Sequence, residues 1–340
     1  MLPDLPREQL MEMFRTMLLM RRFEEELIAV TKSGVAVGHF HVYNGQECTG
    51  APAISLLGPN DTIFTTHRNH GHLLARGADP GRLMAEIMGK VTGYNRGKSG
   101  TLHLTVRELG FLSTSALVGG TLPLAIGAAF AAKRQGTNAV NLCLFGDGAL
   151  EEGVFFESIN IASLWALPVI YLCENNSLGA LGQKAGEYPG STIATRDLAD
   201  LARVFEVPAV SVDGTNAAEV YKATKTALER ARGGGGASFI EARTVRWPGT
   251  ALLWPDLVTG VMDLAYAWDP SRIPEKHAIW HREQDALLRY TRALLEGGCA
   301  SQNQLEDIDS EVRKVVADGC RFAVNSEYPA PEEALQQVFA

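Results

Sequence analysis

An aspartate held between two glycines at the end of an apolar run, Gly146-Asp147-Gly148, constrains this chain more than any other feature. Val140 to Phe145, just before it, reads as a buried strand. An acidic turn at Glu151 and Glu152 follows, then a helix-like stretch from Val154 to Trp165. A second strand-like run, Pro168 to Cys173, leads into Asn175-Asn176. Strand, helix and strand in this order make one unit of a parallel sheet, with a polar loop at the carboxyl end of each strand. In open parallel sheets those ends are where ligands bind. Asp147 and Asn176 are thereby brought together. Both are hard oxygen ligands, suited to magnesium or calcium and not to zinc. Magnesium usually takes one or two protein ligands and completes its octahedron with phosphate oxygens and water. Gly146 and Gly148 let a diphosphate approach the backbone, and the helix that follows offers its first N–H groups. The pattern predicts a magnesium–diphosphate site.

The rest of the chain reads as α/β. Arg7 to Thr31 is a helix by the spacing of Leu10, Met13, Met17, Met20, Leu27 and Val30. Ala51 to Leu57 is a short helix stopped by Gly58-Pro59, and Asp61 to Thr65 is a strand. Asp79 to Met88 is helical, Thr92 to Leu112 is a long glycine-rich loop, and Leu122 to Lys133 is a helix crowded with alanine and glycine. Pro208 to Val212 and Ala237 to Thr244 read as buried strands around a helix at Ala217 to Arg232, with Gly233 to Gly236 as the break before the second strand. Ile279 to Leu295, Gln304 to Asp318 and Pro331 to Val338 are helical. One large domain is expected: an N-terminal helix (1–33), an α/β core (34–250) and a divergent loop with a helical tail (251–340).

Bulk properties exclude some partners. The net charge of −8 supplies no basic stripe for nucleic acid. No segment approaches the roughly 18 consecutive apolar residues of a membrane span. The five cysteines include no CxxC pair, which fits a reduced cytoplasm.

Six stretches in order resemble the alpha subunit of the thiamine-diphosphate-dependent 2-oxoacid dehydrogenase component, of the pyruvate or acetoin dehydrogenase type. They are Arg21 to Glu25 (RRFEE), His41 to Glu47 (HVYNGQE), Thr66 to His72 (THRNHGH), Met84 to Leu104, the turn Val118 to Pro123, and the GDG…ENN pair. The resemblance implies a thiamine-diphosphate-binding fold, a mostly parallel sheet flanked by helices, with a helical C-terminal tail. It implies thiamine diphosphate and Mg2+ as cofactors, with contacts from His67, Arg68, Ala116, Val118, Gly146, Gly148, Ala149 and Asn176. The metal would be held by Asp147, Asn176 and the carbonyl of Leu178, and His41 would face the substrate. No catalytic side chain is assigned. The resemblance also implies a beta subunit that supplies the activating glutamate, in a heterotetramer of two alpha and two beta chains. A lipoyl acyltransferase would be the further partner, and a 2-oxo acid or acyloin the substrate.

Two features pull in other directions. His67, His70 and His72 raise a zinc site, against which stands their short irregular run without a cysteine or acid beside them. Where the family reads an aromatic, any residue, then Gly-His-Ser, this chain reads Trp247-Pro248-Gly249-Thr250-Ala251. Thr250 replaces the histidine tied to diphosphate contact and acyl transfer, and Ser115-Ala116 stand where Asn-Gly is common. His277 and His281 are expected to be exposed helix residues. These departures keep open a thiamine-dependent carboligase and a non-catalytic scaffolding subunit. An NAD-binding fold lacks its G-x-G-x-x-G.

Overall fold

A computed structural model describes residues 1–38, 40–176, 193–246, 261–275 and 278–336. In chain order the helices and strands are α1 (Arg7–Lys32), α2 (Glu47–Ser55), β1 (Thr62–Thr66), α3 (His70–Ala75), α4 (Pro80–Ile87), β2 (Phe111–Ser115), α5 (Thr121–Arg134) and β3 (Asn141–Gly146). They continue with α6 (Gly153–Leu164), β4 (Val169–Asn175), α7 (Ala199–Arg203), β5 (Ala209–Asp213), α8 (Ala217–Arg232), β6 (Ser238–Arg243), α9 (Ala286–Glu296) and α10 (Gln302–Asn325).

The six strands form one sheet in the order β2-β1-β3-β4-β6-β5, and every pairing is parallel. Alternation along the strands builds two cores. Ile63, Leu142, Leu144, Ile170, Leu172 and Ile240 face a layer containing α1, α2, α4, α8, α9 and α10. Phe64, Cys143, Phe145, Val169, Tyr171 and Phe239 face α5, α6 and α7. Burial on both sides explains why β3 and β4 read as unbroken apolar runs. From β1 the chain steps outward to β2 and then returns across β1 to β3. The carboxyl ends of β1 and β3 therefore flank a topological switch point, the preferred ligand crevice of such sheets.

Several expectations are corrected. The loop Thr92 to Leu112 runs into strand β2 at Phe111, a five-residue edge strand with too few apolar residues to show a period. Helix α2 begins at Glu47, not Ala51. Pro52 lies inside the helix, and Glu47 at its start is held by Arg21. Strand β5 is an edge strand with a half-exposed face, not a buried one. The tail opens with a π-helical turn, Trp280–Gln284, and only then enters α9, where Asp285 caps the N–H groups of Leu287 and Leu288. Helix α10 is longer than expected and opens on a capping box of Ser301 and Gln304, whereas Pro331–Leu335 forms only a 3-10 turn. His281 is buried, 8% exposed, with its ring against Tyr266 and Trp280. The widened turn brings Trp280 and His281 inward together. Within the long loop, Glu86 of α4 accepts backbone N–H bonds from Asn95, Gly97, Ser99 and Gly100, which gives the segment its shape.

The RRFEE stretch lies inside α1 with all four charges buried. Arg21 forks onto Glu47 at 2.7 and 3.1 Å and onto Asp285 at 2.9 and 3.0 Å. Arg22 forks onto Asp309 at 2.7 and 2.8 Å and donates to the carbonyl of Met262. Glu24 accepts from the Tyr43 N–H and meets His70, and Glu25 accepts from the Met262 N–H. Buried charges persist only when paired in this way. Arg21→Met is expected to cost about 3–5 kcal/mol, because it strands two buried carboxylates. The measurement is the urea midpoint, and a loss below about 1 kcal/mol would show that the cluster is dispensable.

Candidate active site

The carboxyl ends of five strands converge on one cavity of about 210 Å³. The end of β1 contributes Thr66, His67 and Arg68, and the turn after β2 contributes Ser115, Leu117, Val118 and Gly119. From β3 come Gly146, Asp147, Gly148 and Ala149. Glu174 and Asn176 come from the end of β4, Arg246 from beyond β6, and Gln46 from the amino terminus of α2. Asp147 and Asn176 meet as their strand–helix–strand spacing predicts: Oδ1 of Asp147 accepts the Asn176 N–H at 3.4 Å. A β-carbon built at Gly146 or Gly148 meets nothing within 4 Å, so the backbone there is open to a ligand. A 3-10 turn, Asp147–Glu151, intervenes before α6, which starts at Gly153, within one residue of the expected Val154.

Of the other expected site residues, His67, Arg68, Val118, Gly146, Gly148 and Ala149 line the cavity. Ala116 belongs to the same turn as Val118 but is not part of the wall. His41 stands behind His67, with ring centroids 4.4 Å apart. Leu178 and the segment 247–250, which includes Thr250, lie outside the described residues, as do His39 and His277. His281 is not part of the wall either.

The three histidines do not converge on a metal. Among the described residues no group of histidine, cysteine and acidic side chains has that arrangement. His70 and His72 are fully buried in α3, the helix that replaces the expected irregular run. His70 bonds Glu24 and Thr101, while His72 bonds Thr65, Tyr43 and Glu174. They support the wall that His67 and Arg68 form.

Electrostatics give the cavity its character. Arg68 and Arg246 are 6% and 4% exposed. Burial, and then the charge of Arg246, holds the Arg68 guanidinium well below its ordinary proton affinity. Burial lowers Arg246 to about 10, offset in part by Asp147 and Glu174. Nε of Arg246 has no hydrogen-bond partner among the described residues. Burial, with Arg68, His41 and Arg246 adding to it, drives His67 down to about 3, so its imidazole is neutral at neutral pH. Burial raises the Asp147 carboxyl, against the Asn176 N–H and Arg246 that favour its charge. Burial pushes Glu174 up as well, but His72, Thr49 and Tyr43 outweigh it and hold the group below the usual carboxylate range.

Arg246, Glu174 and Gln46 escaped the sequence reading. The strand-end rule that located Asp147 applies equally to Glu174, the first residue of ENN, and to the basic residue that follows β6. Gln46 had no such signal beyond its place in HVYNGQE.

The family model described as the dehydrogenase E1 component matches residues 15–253. The alpha subunit of acetoin:2,6-dichlorophenolindophenol oxidoreductase from Bacillus subtilis (strain 168) is 36% identical over 336 residues, spanning 99% of this chain and 95% of that protein. The pyruvate dehydrogenase E1 component subunit alpha of Porphyra purpurea is 33% identical over 346 residues, spanning 99% and 94%. A solved structure of a putative thiamin diphosphate-dependent enzyme from Mycobacterium smegmatis overlaps 59% of this chain and 31% of its own, at 15% identity and a TM-score of 0.39, too partial a likeness to carry an argument. With the full-length relatives and the match over most of its length, the chain belongs to the family of dehydrogenase E1 components.

Proposed function

We propose that the chain is the alpha subunit of a two-chain enzyme that uses thiamine diphosphate and Mg2+. It cleaves the carbon–carbon bond beside the carbonyl of a 2-oxo acid or of acetoin and passes the acyl unit to an acceptor. The whole chain serves as one cofactor-binding domain. One observation carries the reading: two almost fully buried guanidiniums, Arg68 and Arg246, face the same cavity. Such a pair has a physical need for an anion, and a diphosphate supplies it with charge-assisted hydrogen bonds. The open backbone at Gly146 and Gly148 admits that group, and the orphaned Nε of Arg246 offers it a donor. A cation beside Asp147 offsets the burial that raises its carboxyl.

When bound, thiamine diphosphate supplies the nucleophilic carbon and the electron sink. Arg68 and Arg246 hold the diphosphate. Asp147, Asn176 and, by family resemblance, the carbonyl of Leu178 hold the magnesium. Val118 supports the thiamine ring. His67 faces the substrate with His41 packed behind it, and a neutral His67 orients it without adding a third positive charge. Glu174 already accepts hydrogen bonds from Tyr43, Thr49 and His72, so the activating carboxylate belongs to a beta subunit. A surface for that partner is present. Leu124, Phe130, Phe156, Leu164 and Trp165 expose apolar side chains on α5, on α6 and just after it, which suits burial against that partner. Two alpha and two beta chains complete the enzyme, with a lipoyl acyltransferase taking the acyl unit. A different acceptor is the second reading, favoured by Thr250 at the family's histidine position. A scaffolding subunit has no use for the buried arginine pair.

In calorimetric titration of the complex with its beta subunit, thiamine diphosphate is expected to bind only with magnesium. Asp147→Ala should weaken it by more than the about 10- to 100-fold typical of changes around a metal's ligands. Absence of binding by the intact wild-type complex would sink the cofactor assignment. A second expectation concerns acid. His67 takes up its proton near 3 when folded and near 6.5 when unfolded, so its contribution is present above about pH 6.5 and is lost as pH falls toward 3. Between pH 7 and 5 the wild type should lose about 1–2 kcal/mol more stability than His67→Gln in urea unfolding. Equal losses in both proteins would remove His67 as the source.

A further inference from the structure

Among the described residues of the wall, Gln46 is a polar one to which neither the strand-end rule nor the family resemblance assigns a role. Its side chain is 1% exposed and lines the cavity with Arg68, Glu174, Asn176 and Arg246. Its Oε1 has no hydrogen-bond partner among the described residues. The backbone around it is fixed from every side. Gly45 adopts a φ of +94°, which strains any other residue. The Gln46 N–H donates to the Tyr43 carbonyl at 3.1 Å, and its own carbonyl accepts the Thr49 N–H at 2.9 Å. Glu47 is forked onto Arg21 and accepts the Gly45 N–H. The Thr244 hydroxyl donates to the Gly45 carbonyl at 3.2 Å, while its N–H reaches the Asn175 carbonyl at 2.8 Å. The turn is thus tied to the ends of β4 and β6, beside Asn176 and Arg246.

A buried amide oxygen without a partner costs folding free energy, and such a cost persists where a ligand recovers it. Two residues that line the same cavity, Arg246 and Gln46, each carry a buried polar atom without a partner among the described residues, Nε and Oε1. Rotation of the amide by half a turn presents its NH2 group in place of the oxygen at no steric cost, since the two ends are nearly equal in size. We propose that Gln46 is a cofactor-binding residue: its carboxamide donates to the diphosphate alongside Arg246. This rests on the thiamine diphosphate reading given above and adds a contact to it.

The test uses the complex with its beta subunit, titrated by calorimetry with thiamine diphosphate and, separately, with inorganic pyrophosphate, each with magnesium. Gln46→Leu is expected to weaken both about tenfold, the scale of one hydrogen bond to a charged group. Gln46→Glu should weaken both further, because it sets a carboxylate against the anion. The melting temperature of the ligand-free complex should hold or rise in Gln46→Leu, since an orphaned amide has gone. A fall in that temperature, with unchanged affinities, overturns the proposal in favour of a structural role. Weakened thiamine diphosphate with unaltered pyrophosphate binding overturns the diphosphate contact, as does a raised substrate KM with both affinities intact. Failure of the wild-type complex to bind thiamine diphosphate refutes the underlying reading; wild-type binding with unaffected variants refutes only the role of Gln46.

Discussion

The two buried arginines of α1 hold the rest of the molecule in register. Arg21 joins the amino terminus of α2, through Glu47, to the start of α9, through Asp285. Arg22 joins α10 and the backbone at Met262. Each pair has lost its hydration, so its value lies less in net energy than in the cost of any arrangement that leaves a charge alone. Two residues of one helix thereby decide where four distant segments stand. The same stretch supports the cavity from behind, since Glu24 fixes both Tyr43 and His70.

The sheet supplies the other half of the design. Parallel order places every strand's carboxyl end on one edge, and the reversal between β1 and β3 opens the crevice there. Each strand needs only one or two polar residues after it. The wall is an assembly of short loop beginnings on a rigid, doubly covered sheet, which keeps the arginines apart and dry at once. A layer of buried histidine, tyrosine and threonine side chains lies beneath, with Glu174 as its acceptor, so the polar wall rests on satisfied hydrogen bonds.

Legibility in the sequence followed the physics of each signal. Strands β3 and β4 were legible because burial on both faces makes a continuous apolar run, and Asp147 with Asn176 followed from their position after those strands. Strand β2 was not, because an edge strand of five residues carries too few buried positions. His281 reads as an exposed helix residue, but the π-helical turn carries it inward against Tyr266 and Trp280. His70 and His72 looked like candidate ligands, yet their partners, Glu24 and Glu174, are far away in sequence and only tertiary packing reveals them. Arg246 was passed over for a similar reason: its burial depends on the whole cavity and not on its neighbours in the chain.

The glycine-rich loop after α4 shows where structural information is stored. Its ladder is a single carboxylate, Glu86, which gathers four backbone N–H groups. A backbone donor is common to every residue except proline, so most side chains along the loop are free to vary without loss of its path. Some exceptions are steric. A β-carbon at Gly93 falls 2.4 Å from Glu86, and one at Gly97 falls 2.4 Å from Gly89. The specification of the loop therefore resides largely outside it. Drift within the loop is cheap except at those two glycines, at Gly110, whose β-carbon would fall 2.6 Å from the Asp61 carbonyl, and at Asn95 and Thr101, whose side chains bond Thr105 and His70. A change at Glu86, by contrast, removes four backbone contacts at once.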